Sequence, residues 1–225
     1  MTDRSLRAME RLDLLRTMIR ARRIEEYRTG RPGIGDEAVV AGIAAAIGPD
    51  DTVVEGGGVP LAMSLALAAA ASRRPHVTVY VLTGQPVPAD ELREALEVAA
   101  RRGLPVLFCR ENNLHPLGGL PSETGFAAEH GIPAWAVDGM DALAVAEAVG
   151  EAVDAIRAGE GPHLLELSTC RFRGRAEMTR WREFDPVRLL ADRMREEDGL
   201  DAAALARLES EVDEELGIAE PAPVG

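Results

Sequence analysis

His76-Val77-Thr78-Val79-Tyr80-Val81-Leu82, the stretch from Pro88 to Arg102, and then Leu104-Pro105-Val106-Leu107-Phe108-Cys109 together decide the fold. The first run is rich in β-branched and aromatic residues, which suit a pleated strand. The second reads as a helix and the third as a short apolar strand. The rhythm continues downstream with a strand over Ala134 to Val137, a helix over Asp141 to Ala158 and a strand over His163 to Ser168. Strands alternating with helical stretches of this length predict an α/β fold, a parallel sheet with helices on both faces. In such sheets ligands gather at the carboxyl ends of the strands. Those ends are Thr83-Gly84-Gln85, Arg110-Glu111-Asn112-Asn113, Asp138-Gly139 and Thr169-Cys170-Arg171.

Upstream, Leu12, Leu15, Met18 and Ile19 recur at helical spacing and predict an amphipathic helix ending near Tyr27. Gly30-Arg31-Pro32-Gly33 breaks it. A second helix is predicted from Asp36 to Ile47, with Asp36 and Glu37 at its positive end, before Gly48-Pro49-Asp50-Asp51 stops it. Gly56-Gly57-Gly58 leads into a third helix that carries Pro60 in its first turn. That helix is apolar almost all round, so its own domain or a neighbouring subunit must cover it. Downstream of the strands, Pro186 begins a further helix and Asp201 to Leu216 reads as an acidic one. The expected organisation is an α/β domain over 1–175 with a helical extension over 176–225.

Composition narrows the function classes. The 225 residues are 46% apolar, enough for a substantial interior. The net charge of -13 repels phosphate backbones and argues against nucleic acid as a partner. All 25 basic residues are arginine, which removes Schiff-base and lysine-base chemistry. Cys109 and Cys170 lie far apart and form neither a metal spacing nor a disulfide framework. The run Val59 to Ala71 is too short to span a bilayer, and the first residues have no signal-peptide core, so a cytoplasmic protein with no membrane partner is expected.

A set of blocks in order resembles the alpha subunit of the thiamine-diphosphate-dependent 2-oxoacid dehydrogenases. Thr83-Gly84-Gln85 and Asn112-Asn113, separated by a 26-residue spacer, are similar to that family's cofactor motif of Gly-Asp-Gly and Asn-Asn. Ile34-Gly35-Asp36-Glu37-Ala38, Pro49-Asp50-Asp51, Val59-Pro60-Leu61-Ala62, Val137-Asp138-Gly139 and Gly159-Glu160-Gly161-Pro162 follow in family order. The resemblance implies the thiamine-diphosphate-binding fold, decarboxylation of a 2-oxoacid with acyl transfer, and the cofactors thiamine diphosphate and Mg²⁺. It also implies a hetero-oligomer with a beta-type subunit, which supplies the carboxylate that activates the coenzyme. The implied cofactor-binding residues are Thr83, Gly84, Gln85, Asn112, Asn113 and Arg171, and the implied metal ligands are Asn113 and the carbonyl of His115.

Three departures fall on one site. Gly84 stands where the family has a magnesium-binding aspartate. Losing one partner of a buried charge pair costs about 3–5 kcal/mol, which is roughly a hundred- to several-thousand-fold in affinity. Only Thr52 to Gly58 separates Asp51 from Val59, where the family has a long segment bearing a diphosphate contact. In Cys170-Arg171-Phe172-Arg173-Gly174-Arg175-Ala176, Arg175 and Ala176 replace a histidine and a serine, so the family's active-site histidine is missing. Impaired or lost cofactor binding is the expectation, and a non-catalytic scaffold or regulatory paralogue is the alternative.

Other candidates have two readings each. Gly56-Gly57-Gly58 reads as a phosphate cradle or, preferably, as a tight turn. His115 reads as a general base or as a solvated loop residue. Arg171, Arg173 and Arg175 read as an anion clamp or as a salt-bridge seam.

Overall fold

A computed structural model describes residues 3–31, 33–56, 58–72, 76–83, 87–114, 119–173, 179–180 and 182–218. Contacts divide the chain into two compact units. The first comprises Met1–Gly42, Met140–Leu143 and Cys170–Gly225; the second comprises Ile43–Gly139 and Ala144–Thr169.

The second unit holds a five-stranded parallel sheet in the order β2-β3-β4-β6-β5, flanked by helices. Its strands are β2 (Thr52–Glu55), β3 (Thr78–Leu82), β4 (Val106–Asn113), β5 (Ala134–Asp138) and β6 (His163–Thr169). Alternate residues of a strand face opposite sides of a sheet. Here Tyr80, Leu82, Val106, Phe108 and Leu164 form one buried set, packed with Val59, Ala62 and Ala66 of α3 (Gly58–Ser72) and Leu92, Leu96 and Ala99 of α4 (Ala89–Arg102). The intervening Val79, Val81, Leu107, Cys109, Leu165 and Leu167 are buried as well. Burial on both faces is what a parallel sheet requires and why these strands read as near-continuous apolar runs. At the centre, burial pushes the Cys109 thiol up to about 12, so it is an inert packing group.

Local chemistry sets the helix ends. On α4, Asp90 and Glu91 sit in the first turn and Arg101 and Arg102 in the last, opposing the helix dipole at both ends. Gly103 then turns left-handed and donates its N–H to Ala100 O. Two further helices complete this unit, the short α5 (Thr124–Glu129) and most of α6 (Ala142–Arg157), whose Val145, Val149, Ala152, Val153 and Ile156 make a buried stripe.

The first unit is helical. Its core joins Leu14, Leu15, Met18 and Ile19 of α1 (Asp3–Thr29) to Val187, Leu190, Ala191 and Met194 of α7 (Pro186–Glu197) and to Leu208 and Val212 of α8 (Ala202–Glu215). Asp185 caps α7 by accepting from the N–H groups of Val187 and Arg188, with Pro186 in the first turn. Asp201 caps α8 through Ala204 N–H. Helix α2 (Glu37–Ala46) begins in this unit, where the side chain of Arg22 on α1 donates to Glu37 at 2.8 Å and to Asp185 at 2.6 and 3.1 Å. Burial pushes the Glu37 carboxyl up from its ordinary value, while Arg22 and the N–H of Gly35 pull it back. Burial likewise works against the charge on Arg22, and Glu37 and Asp185 more than reverse it, leaving Arg22 firmly protonated. A two-stranded antiparallel ribbon of β1 (Gly33–Ile34) and β7 (Phe172–Arg173) packs Ile34 and Phe172 with Met140.

The alternation of strands and helices is as the sequence predicts, with four differences. Thr52–Glu55 is an edge strand paired to β3, where the sequence reading assigned no element. β4 runs on through Arg110-Glu111-Asn112-Asn113. The α5 helix and the β1–β7 ribbon are additional. Among the described residues, no helix is long and apolar enough to cross a membrane.

Arg22→Met leaves two carboxylates in a poorly solvated site without their cation. The expected loss is about 3–5 kcal/mol, read as a lower urea midpoint at unchanged slope. An unmoved midpoint would show that the triad adds nothing. At the end of β5, Gly139 N–H donates to Ser168 O at 2.8 Å, and an added Cβ would lie 2.7 Å from Thr169 Cγ2 and 2.9 Å from Ser168 O. Gly139→Ala is therefore expected to cost about 1–3 kcal/mol and to lower Tm by about 2–4 °C for each kcal/mol. A Tm equal to that of the parent chain would contradict the close approach.

Candidate functional site

The carboxyl ends of the parallel strands bring together part of the predicted set. Thr83 follows β3 directly, and its Oγ1 donates to Glu55 Oε1 at the end of the neighbouring β2 at 3.2 Å. Asn112 and Asn113 are the last residues of β4, in register with Ser168 and Thr169 of β6. Leu114 N–H continues the pairing to Thr169 O at 2.8 Å. Gly84, Gln85 and His115 lie outside the described residues, as does Arg175. Arg171 belongs to the first unit.

Asn112 and Asn113 differ in their engagements. The carboxamide of Asn112 is occupied at both ends: Oδ1 accepts from Leu120 N–H at 2.7 Å and Nδ2 donates to Leu120 O at 3.0 Å. The side chain of Asn112 is buried, whereas Asn113 is half-buried. The loop after β4 is therefore tied back onto the strand that carries the asparagines.

The neighbouring charges are also buried. Arg110 pairs with Glu166 on β6 at 2.5 Å, and the carboxylate of Glu111 accepts from Thr169 Oγ1 at 2.8 Å. A parallel register that sets Arg110 opposite Glu166 makes this pairing possible in a strand interior. Sequence reasoning placed Arg110 and Glu111 beyond the end of a strand. The signal available for Glu166 was a lone carboxylate inside the apolar run Leu164-Leu165-Glu166-Leu167. A charge at that place demands a buried partner, and Arg110 is that partner.

Arg171 is half-buried and pairs with Asp36 at 3.1 Å. It borders a small cavity together with Arg31, Glu25, Asp36 and Glu37. Around Arg171 this cavity sets three carboxylates beside two guanidinium groups. The described histidines are bound into the fold. His76 Nδ1 meets Asp50 O, His130 Nδ1 meets Phe126 O, and the buried His163 Nδ1 meets Gly161 O.

Comparison with known proteins agrees with this architecture. A family model described as the dehydrogenase E1 component matches residues 54–219. The alpha subunit of the pyruvate dehydrogenase E1 component of Rhizobium meliloti (strain 1021) is 39% identical over 106 residues, 43% of this chain and 30% of that protein. The mitochondrial alpha subunit of Sminthopsis macroura is 30% identical over 181 residues, 72% of this chain and 50% of that protein. The chloroplastic alpha-3 subunit of Arabidopsis thaliana is 35% identical over 139 residues, 54% of this chain and 32% of that protein. This chain thus spans half or less of the length of these relatives. The ordered blocks, the parallel sheet and the matched family model lead to one assignment: the chain belongs to the dehydrogenase E1 component family.

Proposed function

We propose that this chain acts as an alpha-type subunit of a 2-oxoacid dehydrogenase first component, joined to a beta-type partner, and that its own half of the Mg²⁺–thiamine diphosphate site is impaired. The observation that carries the reading is Gly84 at the position where the family has a carboxylate. Mg²⁺ is a hard cation that prefers near-octahedral oxygen ligands, and a carboxylate offsets its charge. Glycine brings no side-chain oxygen.

The engagements around the predicted motif support the same reading. Asn112 spends its carboxamide on Leu120. The carboxylate of Glu55 accepts from Thr83, and that of Glu111 is buried against Thr169. These engagements leave Gly84 as the position at which a metal-binding carboxylate is missing. The chain's contribution is then a scaffold for its partner: the sheet, the helices and the ends of β4 and β6 persist while a principal metal-binding position is empty of charge. Substrate recognition and acyl transfer by the assembly rest on the beta-type partner and on whatever coenzyme it holds.

Isothermal titration of thiamine diphosphate in excess Mg²⁺, with chain and partner together, tests this. The parent assembly is expected to bind weakly, and Gly84→Asp to tighten binding by roughly a hundredfold or more. Micromolar binding by the parent, unchanged in Gly84→Asp, would overturn the reading.

A further inference from the structure

Four consecutive residues after the β4 loop are each held by a side chain of β4 or β6. Leu120 is gripped at its N–H and its carbonyl by Asn112. Pro121 has only a carbonyl to offer, and Arg110 Nη1 donates to it at 2.8 Å. Ser122 Oγ donates to Glu166 Oε2 at 2.6 Å, and Glu123 N–H donates to Glu166 Oε1 at 2.9 Å. The Arg110–Glu166 pair joins the two grips, because both residues are buried and lie 2.5 Å apart. Just before this segment Gly119 has φ +84, and an added Cβ would come within 2.7 Å of Asn112 Oδ1 and 2.8 Å of Leu114 Cδ2. Only glycine allows that approach without displacing the asparagine. Just after it, the buried Glu123 pairs with Arg93 at 2.7 Å, and Arg93 lies over the Phe126 ring at 5.0 Å.

We infer that Arg110, Asn112 and Glu166 form a clamp that fixes the 119–123 segment against β4 and β6 with no metal or coenzyme bound. These are positioning residues. The inference rests on the alpha-type reading for its functional meaning, because the segment held is the continuation of the strand that ends in Asn112-Asn113.

Two physical arguments separate a clamp from ordinary stabilisation. A buried ion pair commonly adds little net stability over an apolar replacement of the same volume. Repeated bonds to consecutive residues, by contrast, select one path for the chain. The clamp gives Asn112 the work of holding Leu120 at both its N–H and its carbonyl.

Hydrogen exchange at single amides in the full chain, with neither Mg²⁺ nor thiamine diphosphate added, tests this. The N–H groups of Leu120 and Glu123 are expected to exchange as slowly as the amides of Thr78 and Leu164 near the starts of the interior strands β3 and β6. Asn112→Ala is expected to speed Leu120, and Glu166→Ala to speed Glu123, by at least about tenfold each, with Thr78 and Leu164 unaffected. Glu166→Gln keeps an acceptor for Glu123 N–H and is expected to restore its slow exchange. Loop-like rates in the parent chain that slow only when Mg²⁺ and thiamine diphosphate are added would overturn the clamp. If Glu166→Ala loses protection throughout the sheet, Asn112→Ala decides alone: a fast Leu120 amide supports the clamp and a slow one overturns it. Tight coenzyme binding by the parent assembly would sink the impaired-site reading and leave this one standing, since its measurement is made with no coenzyme present.

Discussion

The parallel register of β4 on β6 is the constraint on which the described site depends. It pairs Leu107 with His163 at one end and Asn113 with Thr169 at the other, and so sets Arg110 beside Glu166 and Glu111 within reach of Thr169. Shifting a strand by one residue turns every side chain to the opposite face. Such a slip would strand a guanidinium and two carboxylates among leucines and valines, at a cost no apolar contact offsets. Charge pairing therefore fixes the register that hydrophobic burial alone, equal on both faces of this sheet, would leave weakly specified.

The same constraint links packing to function. Arg110 and Glu166 reach the loop that follows β4, so the loop's path depends on the register of strands that lie in the core. What the family resemblance presents as a motif of two asparagines is, in the structure, one residue that holds the chain and one at the strand's end. The first unit uses the same device. Arg22 ties α1 to the start of α2 and to the cap of α7 by way of two carboxylates.

Much of this was legible in the residues. The strand–helix rhythm from His76 to Ser168 predicted the parallel sheet, and Arg102, Pro186 and Asp201 marked helix boundaries that the structure confirms within a residue or so. The extension of β4 was not legible, because Arg110-Glu111-Asn112-Asn113 is a polar run and its burial follows from partners distant in sequence. β2 has four residues, too few for periodicity to speak. Helix α5 was missed because it is a turn and a half long, and its buried contact is Ala127. The β1–β7 ribbon is a long-range pairing of two-residue strands that carries no local pattern. In the candidate site, the strand ends were read from the rhythm of the sheet, and the cofactor roles came from the resemblance alone. Their division of labour emerged only from hydrogen bonds spanning the loop.

The absence of lysine has a consequence for the helical unit. Arg11 bonds Asp198 and Glu197, Arg16 bonds Glu211 and Glu215, and Arg23 bonds Asp213, so the seams joining α1 to the chain around α7 and α8 are guanidinium to carboxylate throughout. A guanidinium keeps its proton far beyond the point at which an amine surrenders it. Mild alkali, which dissolves contacts made by lysine, leaves these seams intact; concentrated salt or acid is what loosens them. Reagents that seek primary amines likewise find no side chain on this molecule to modify.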